Sequence, residues 1–341
     1  MKLLVVNAGS SSLKLAVFDA ALQQLAAARA ERIGTGGAED HLAALRAGLA
    51  EMGIAASDLT AAAHRVVHGG AALVQPARIT HEVLAGIAAC KPLAPLHNPA
   101  NLIGIQALAA LVPDLPQYAS FDTAFHGTVP EVAARYALPG AAEDLGLRRY
   151  GFHGISYAGL VGKLRAQGAL PHRLLALHLG NGASLCAILE GQSVATTMGY
   201  SPLSGLTMGT RAGDIDGNAV LRLAEVHGVE GAGRILNRES GLLGLGGASD
   251  MRALHEAGTE AAAFALEHFA YWAVRHAGSM VAALGGLDAL AFTGGIGEKD
   301  AWMRGRIVAG LAFLGAVPVH VVPAEEERQI AAEALAVISL G

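Results

Sequence analysis

Residues 174–217 read LLALHLGNGASLCAILEGQSVATTMGYSPLSGLTMGTRAGDIDG. An apolar run at 174–177 breaks at His178-Leu179-Gly180-Asn181-Gly182, resumes over 185–189 and turns again at Glu190-Gly191. That order is a strand, a glycine-rich turn and a returning strand. Gly180 and Gly182 let main-chain N–H groups converge without Cβ clashes, and converging amides form a nest for phosphate oxygens. Beyond Pro202, a glycine-spaced loop ends in Thr210-Arg211-Ala212-Gly213-Asp214, which would hold Arg211 ready for a planar anion.

A lone hairpin could use its glycines only for turning, but the N-terminus repeats the pattern. Leu3-Leu4-Val5-Val6 runs into Asn7-Ala8-Gly9-Ser10-Ser11-Ser12 and then an apolar stretch at 13–18. Laid over the central stretch, Ser12-Leu13 falls on Ser184-Leu185, and the later turn is one residue longer. Two such units in one chain predict a duplicated domain, each half offering a phosphate-binding turn to a shared cleft.

At 341 residues the chain exceeds the usual single-domain size, which predicts two cores. Hydrophobic residues reach 52% but aromatics only 5%, so small side chains supply much of the apolar content. No run of eighteen uncharged apolar residues occurs; even 261–287 is interrupted by Glu267, His268, Arg275 and His276, which argues against a membrane span. The net charge of -5 is scattered with no basic block, which argues against nucleic acid as a partner. The chain enters a strand at once, without a secretory leader pattern. Cys90 and Cys186 suggest neither a disulfide framework nor a metal cluster. A soluble cytoplasmic enzyme fits these features best.

Coarse periodicity places helices near 40–52, 82–90, 101–111, 129–136, 156–167, 216–226 and 260–284, with a closing helix at 327–341. Further strands are expected at 118–121, 290–293 and 317–322. The helix at 260–284 is apolar nearly all round, as for a buried or interfacial element. Asp122 follows the strand at 118–121, at the end where open α/β sheets carry functional groups.

The strings NAGSSSLK (7–14), HRVVHGG (64–70), PLAPLHNP (92–99), FDTAFHGTVP (121–130), RRYGFHG (148–154), HLGNGAS (178–184), MGTRAGDID (208–216) and FTGGIGE (292–298) resemble, in sequence and order, the acetate kinase family of acyl-phosphate-forming kinases. The resemblance covers nearly the whole chain. It implies an α/β fold of two actin-like (ribonuclease H-like) domains related by duplication, with a nucleotide cleft between them. The N-terminal domain would be 1–124 joined by the helix 327–341, and the C-terminal domain 125–326 would bind adenosine and form a homodimer.

The resemblance also implies roles. Arg65 and Arg211 would act on the carboxylate and the transferring phosphoryl group, with Asp122 catalytic, His153 a phosphoryl donor and His97 positioning. Ser10, Ser12, Lys14, His178, Leu179, Gly180, Asn181 and Gly182 would meet phosphates. Asp250, Met251, Arg252, Gly295, Ile296, Gly297, Glu298 and Lys299 would bind adenosine. Asn7 and Glu326 match magnesium-associated positions, with Mn²⁺ as a substitute ion, and Val67, Leu96, Phe152 and Pro202 match a small apolar acyl pocket. His64, His68 and His126 are expected to be structural. Phosphoryl transfer to a carboxylate needs charge neutralisation and positioning more than a strong base, which suits this set of cations and donors.

The implied reaction is reversible transfer from ATP to acetate, giving acetyl phosphate and ADP. Propionate or butyrate is the close alternative, and a sugar kinase or regulatory nucleotide-binding protein the distant one. The chain departs from the family pattern at Ile155 and Tyr157, at Lys299, in PAEEE (323–327), in a shortened loop before Asp250, and in short segments before His64 and between Arg306 and Val317. These departures bear on nucleotide and acyl-chain preference.

Overall fold

Short apolar runs build the strands. In the first sheet, β1 (Leu3–Ala8), β2 (Ser12–Phe18) and β3 (Gln24–Glu31) form an antiparallel meander. β4 (Ala61–Val66) pairs in parallel with β1, the two-residue β5 (Ala77–Arg78) is an edge, and β6 (Gln117–Phe121) lies between them, giving the order β3-β2-β1-β4-β6-β5. In the second sheet, β7 (Arg173–Leu179), β8 (Ala183–Leu189) and β9 (Gln192–Thr196) repeat the meander, and β10 (Ala289–Thr293) and β11 (Val319–Val321) add in parallel beside β7. Both sheets therefore carry one topology, a three-stranded meander flanked by two parallel strands, which is the actin-like arrangement.

The computed structural model describes residues 1–340, so Gly341, the expected end of the closing helix, lies outside the described residues. One compact unit comprises Met1–Gly127, Gly154–Gly159 and Glu325–Gly341; the other comprises Thr128–His153 and Leu160–Ala324. The division falls three residues beyond the expected 124/125 boundary and assigns 154–159 to the first unit. The local reason is that Gly154 N donates to Asp122 O at 2.7 Å and the Tyr157 ring stacks on Phe125.

The first sheet alternates its side chains between two cores, as a period of two requires. Leu4, Val6, Leu13 and Leu15 pack with Leu45, Leu49 and Leu108 on one face. Leu3, Val5, Ala16 and Phe18 pack with Ile330, Ala331 and Ala334 of the closing helix Glu326–Leu340 on the other. In the second unit β10 is buried along its whole length, as expected for a central strand between parallel neighbours.

Three local expectations change, and one further stretch takes a form that its own residues leave open. Gln24–Glu31 is a strand although its sequence, QLAAARAE, has no β-branched residue; pairing with β2 decides it. The helix expected at 129–136 shrinks to Glu131–Ala134 because Arg135 bridges Arg148 instead. The helix after Asp216 runs on to Arg234 through a break at Gly228. The helix Glu260–Leu284 buries one face and exposes Phe264 and Tyr271 on the other.

Candidate active site

In the first unit, the β1–β4–β6 core brings three predicted residues together at strand ends. The Arg65 guanidinium grips Asp122 with Nη2 to Oδ2 at 2.6 Å and Nε to Oδ2 at 3.1 Å, and its Nη1 donates to Asn7 Oδ1 at 3.4 Å. The Asp122 side chain is 3% exposed and that of Arg65 25%, so the pair is sheltered on the carboxylate side. Burial works against the Arg65 charge, but Asp122 first and Glu326 next hold its pKa above the ordinary value. Burial pushes the Asp122 carboxyl up, with Arg65 pulling it back down and His97 adding to that pull. His97 and Glu326 thus lie within electrostatic reach of the same carboxylate.

The first turn is held from beneath. Gly9 N donates to Ser12 O at 2.8 Å, and buried His41 bonds through Nε2 to Gly9 O at 2.8 Å. Lys14 stands directly opposite Asn7 across the β1–β2 ladder, so the two side chains share a face. Ser10 and Lys14 are exposed and Ser12 half-buried. The ladder also corrects the expected overlay of the repeats. Ala8 pairs with Leu13 and Leu179 with Ala183, so Lys14, not Ser12, is the counterpart of Ser184, and the first turn is the longer one.

Two asparagines carry the frame around Val67. Asn101 Oδ1 accepts from Val67 N at 3.0 Å while its Nδ2 donates to Ala8 O at 2.8 Å, and Asn98 brackets the main chain of His68. Val67 is buried by this arrangement, whereas Leu96 is 52% exposed. His64 and His68, expected to be structural, are buried; His64 Nε2 meets Gln117 Oε1 at 2.7 Å, and burial lowers both pKa values to about 4.

In the second unit, side chains converge on the β7–β8 turn. The rings of His153 and His178 stack with centroids 4.1 Å apart, and His153 Nδ1 lies 2.9 Å from Ser184 Oγ. A Cβ placed on Gly182 would sit 3.1 Å from His153 Nε2 and 3.5 Å from Arg211 Nη1, so both groups face this glycine. Neither Gly180 nor Gly182 has a positive φ; space, not backbone freedom, is what the turn needs from them. The loop bearing Arg211 is clamped to the turn by Gly209 N donating to Asn181 O at 3.0 Å.

Arg211 Nη1 reaches the Pro202 carbonyl at 3.3 Å and Met208 Sδ at 3.7 Å. No carboxylate pairs with it among the described residues, and burial lowers its pKa. Phe152, the other acyl-pocket candidate of this unit, is 2% exposed.

A cavity of about 550 Å³ adjoins the same turn. Of the predicted nucleotide residues, Gly180, Asn181, Asp250, Met251, Arg252, Gly295, Ile296 and Lys299 line it; His178, Leu179, Gly182, Gly297 and Glu298 do not. Leu179 is fully buried and offers only its main chain, and Asp250 caps the next helix by accepting from Ala253 N at 3.0 Å. Ser249, His255, Glu256, Asp300 and Ala301 line the cavity without a sequence signal that singled them out; Ser249, Asp300 and Ala301 lie at helix starts, and His255 and Glu256 in the last turn of Met251–Ala257.

Among the described residues no three His, Cys, Asp or Glu side chains gather as a metal cage. The donors available near Asp122, the Asn7 amide oxygen and the Glu326 carboxylate, fit an ion that keeps its waters and arrives on substrate phosphates, which is the habit of Mg²⁺.

The acetokinase family model matches residues 38–333. The acetate kinase of Streptomyces avermitilis is 40% identical over 394 aligned positions, covering 99% of this chain and 97% of the relative. Because that alignment is longer than the chain, the relative carries internal segments absent here, in keeping with the short stretches noted above. The crystal structure of Porphyromonas gingivalis acetate kinase superposes with a TM-score of 0.92 at 34% identity, covering 99% of each chain. A propionate kinase from Francisella tularensis gives 0.92 at 35%, covering 97% of this chain and 98% of its own. With the family model spanning most of the sequence and relatives matched end to end, the chain belongs to the acetokinase family.

Proposed function

We propose that this protein is an acetate kinase, transferring the γ-phosphoryl group of ATP to acetate by direct in-line displacement, reversibly, to give acetyl phosphate and ADP. The observation that carries this reading is the convergence of His153 and a half-buried Arg211, which has no carboxylate partner among the described residues, on the Gly182 turn. A desolvated cation beside a main-chain turn is costly in isolation and favourable once an anion arrives, so the group is suited to a phosphoryl in transfer.

In this reading Arg65 orients the acetate carboxylate, with Asp122 and Asn7 fixing the guanidinium plane. His97 acts through that arrangement as a positioning residue. Arg211 and His153 neutralise charge on the phosphoryl oxygens. Ser10, Ser12 and Lys14 assist on the β- and γ-phosphates, and the 550 Å³ cavity takes the adenosine. Asn7 and Glu326 would hold Mg²⁺ through its waters; the ion supplies neutralisation of phosphate charge. Val67 and Leu96 in the first unit, and Phe152 and Pro202 in the second, are each assigned to contact the acyl group.

Propionate is the second reading, supported by the equal TM-scores to an acetate and a propionate kinase. One methylene in an apolar pocket is worth only about 1–3 kcal/mol, so discrimination is expected to be partial. We also infer a cytoplasmic homodimer. The exposed apolar residues Leu221, Val226 and Val229 of the helix Gly217–Arg234, and Phe264 and Tyr271, support an interface; no helix among the described residues is long and apolar enough to cross a membrane. Trapping acyl phosphate with hydroxylamine, using acetate, propionate and butyrate at equal concentration, tests the reading. Acetate is expected to lead, and butyrate in first place, or no acyl hydroxamate at all, would overturn it.

A further inference from the structure

Glu298 sits in the six-residue helix Gly294–Lys299, yet its carboxylate does not line the cavity that this helix borders. Its Oε1 accepts two main-chain hydrogen bonds, from Gly294 N at 3.1 Å and from Ala324 N at 3.0 Å. One carboxylate oxygen has the lone pairs for both, and the charge strengthens each bond. Arg304 fixes the helix behind it, with Nη1 donating to Gly297 O at 3.0 Å and Glu298 O at 2.9 Å.

Neither partner amide has freedom to find another position. Gly294 has φ +79, and a Cβ there would lie 2.7 Å from Leu179 O. Ala324 stands between Pro323, whose carbonyl accepts from Lys163 Nζ at 2.5 Å, and Glu325, a non-glycine residue at φ +42. A side chain in that left-handed region is strained and persists only where its surroundings hold it. The next residue, Glu326, begins the closing helix. One oxygen atom therefore ties the 294–299 turn to the strained lead-in to Glu326.

We propose that Glu298 is a positioning residue that couples nucleotide occupancy of the 294–299 turn to the order of residues 323–326, and so to the placing of Glu326. This rests on reading the turn as part of the nucleotide site. A nucleotide seated against Gly295 and Ile296 steadies the neighbouring Gly294 N, which holds the shared oxygen, and that oxygen holds Ala324 N.

Amide hydrogen exchange with ADP alone, without a divalent ion, tests the coupling in the whole chain. In the wild type, ADP is expected to slow exchange in peptides covering 290–300 and also in those covering 319–328. Glu298→Ala is expected to keep the first effect, lose the second and weaken ADP binding about tenfold, the loss typical of a charge-assisted hydrogen bond. Glu298→Gln, which keeps an uncharged acceptor, should fall between. Ala324→Pro removes the second donor while leaving Gly294 N and Glu298 in place, and should abolish protection of 319–328 while ADP still protects 290–300; it decides the matter if Glu298→Ala does not fold. Unchanged exchange at 319–328 in the wild type, or protection there that survives both Glu298→Ala and Ala324→Pro, overturns the proposal. Unchanged exchange at 290–300 overturns the nucleotide reading itself, and the proposal with it.

Discussion

Beside the first turn, Arg65 meets a carboxylate at 2.6 Å; beside the second, Arg211 meets, among the described residues, a proline carbonyl and a thioether sulfur but no carboxylate. The two repeats share a strand order, yet one arginine is paired with a carboxylate within its unit and the other has no carboxylate partner among the described residues. Electrostatics follow the difference: neighbouring carboxylates hold Arg65 more firmly charged, whereas burial disfavours the charge on Arg211. A charge paired in the resting protein is suited to orienting a substrate. A desolvated, carboxylate-free charge is suited to binding strongly where negative charge is gathered.

The largest expected effect follows from Arg211. Arg211→Met should lower kcat by about 10²–10³, the usual cost of removing one preorganised group at a developing charge. Stability should not fall, because the substitution removes a half-buried cation that has no carboxylate partner among the described residues. Arg211→Lys should also be slow, since an ammonium cannot present a planar fork. Steady-state kinetics paired with thermal melts check this. A substantial loss of Tm in Arg211→Met would mean that the second arginine is structural after all.

The opposite balance is expected at Asp122. Asp122→Ala leaves the Arg65 guanidinium without its partner and should cost about 3 kcal/mol of stability, toward the low end for a broken buried pair because Arg65 keeps some exposure. Urea titration reads this directly. Equal stability losses in Asp122→Ala and Arg211→Met would erase the distinction between the two repeats.

The residues in this comparison were legible in the sequence because motif strings of seven to ten residues carry them. What each motif touches was less legible. Asn101 joins Val67 to Ala8 across 93 residues of sequence, and Asn98 reaches His68 across 30; no local pattern encodes such bonds. A shared Ser-Leu dipeptide overlays the repeats in sequence, but cross-strand pairing fixes register, and it makes Lys14 the counterpart of Ser184. β3 was hidden by its alanines, which favour neither strand nor exposure until β2 supplies a ladder. Glu298 looked like a nucleotide contact because its motif is one, although its carboxylate is committed to main-chain amides.

The smallest expected effect separates the histidines of the two repeats. His153 and His178 stack at the second turn, whereas the first repeat keeps His64 inside its core, 1% exposed, on Gln117. Burial lowers the His64 pKa from 6.5 to about 4, so the folded protein keeps the ring neutral where the unfolded chain would take up a proton. The unfolded state then binds more protons between those two values. The contribution of neutral His64 is complete above pH 6.5 and is lost progressively as the pH falls toward 4. At pH 5 the linkage amounts to about 2 kcal/mol. His64→Gln, which cannot titrate, should therefore lose about 2 kcal/mol less than the wild type between pH 7.5 and pH 5.0 in urea titrations, while activity at pH 7.5 stays close to normal. Parallel pH slopes in the two proteins would mean that His64 is already protonated in the fold. A fall in kcat at pH 7.5 with Tm unchanged would give this core histidine a part in the chemistry and remove the contrast with the second repeat.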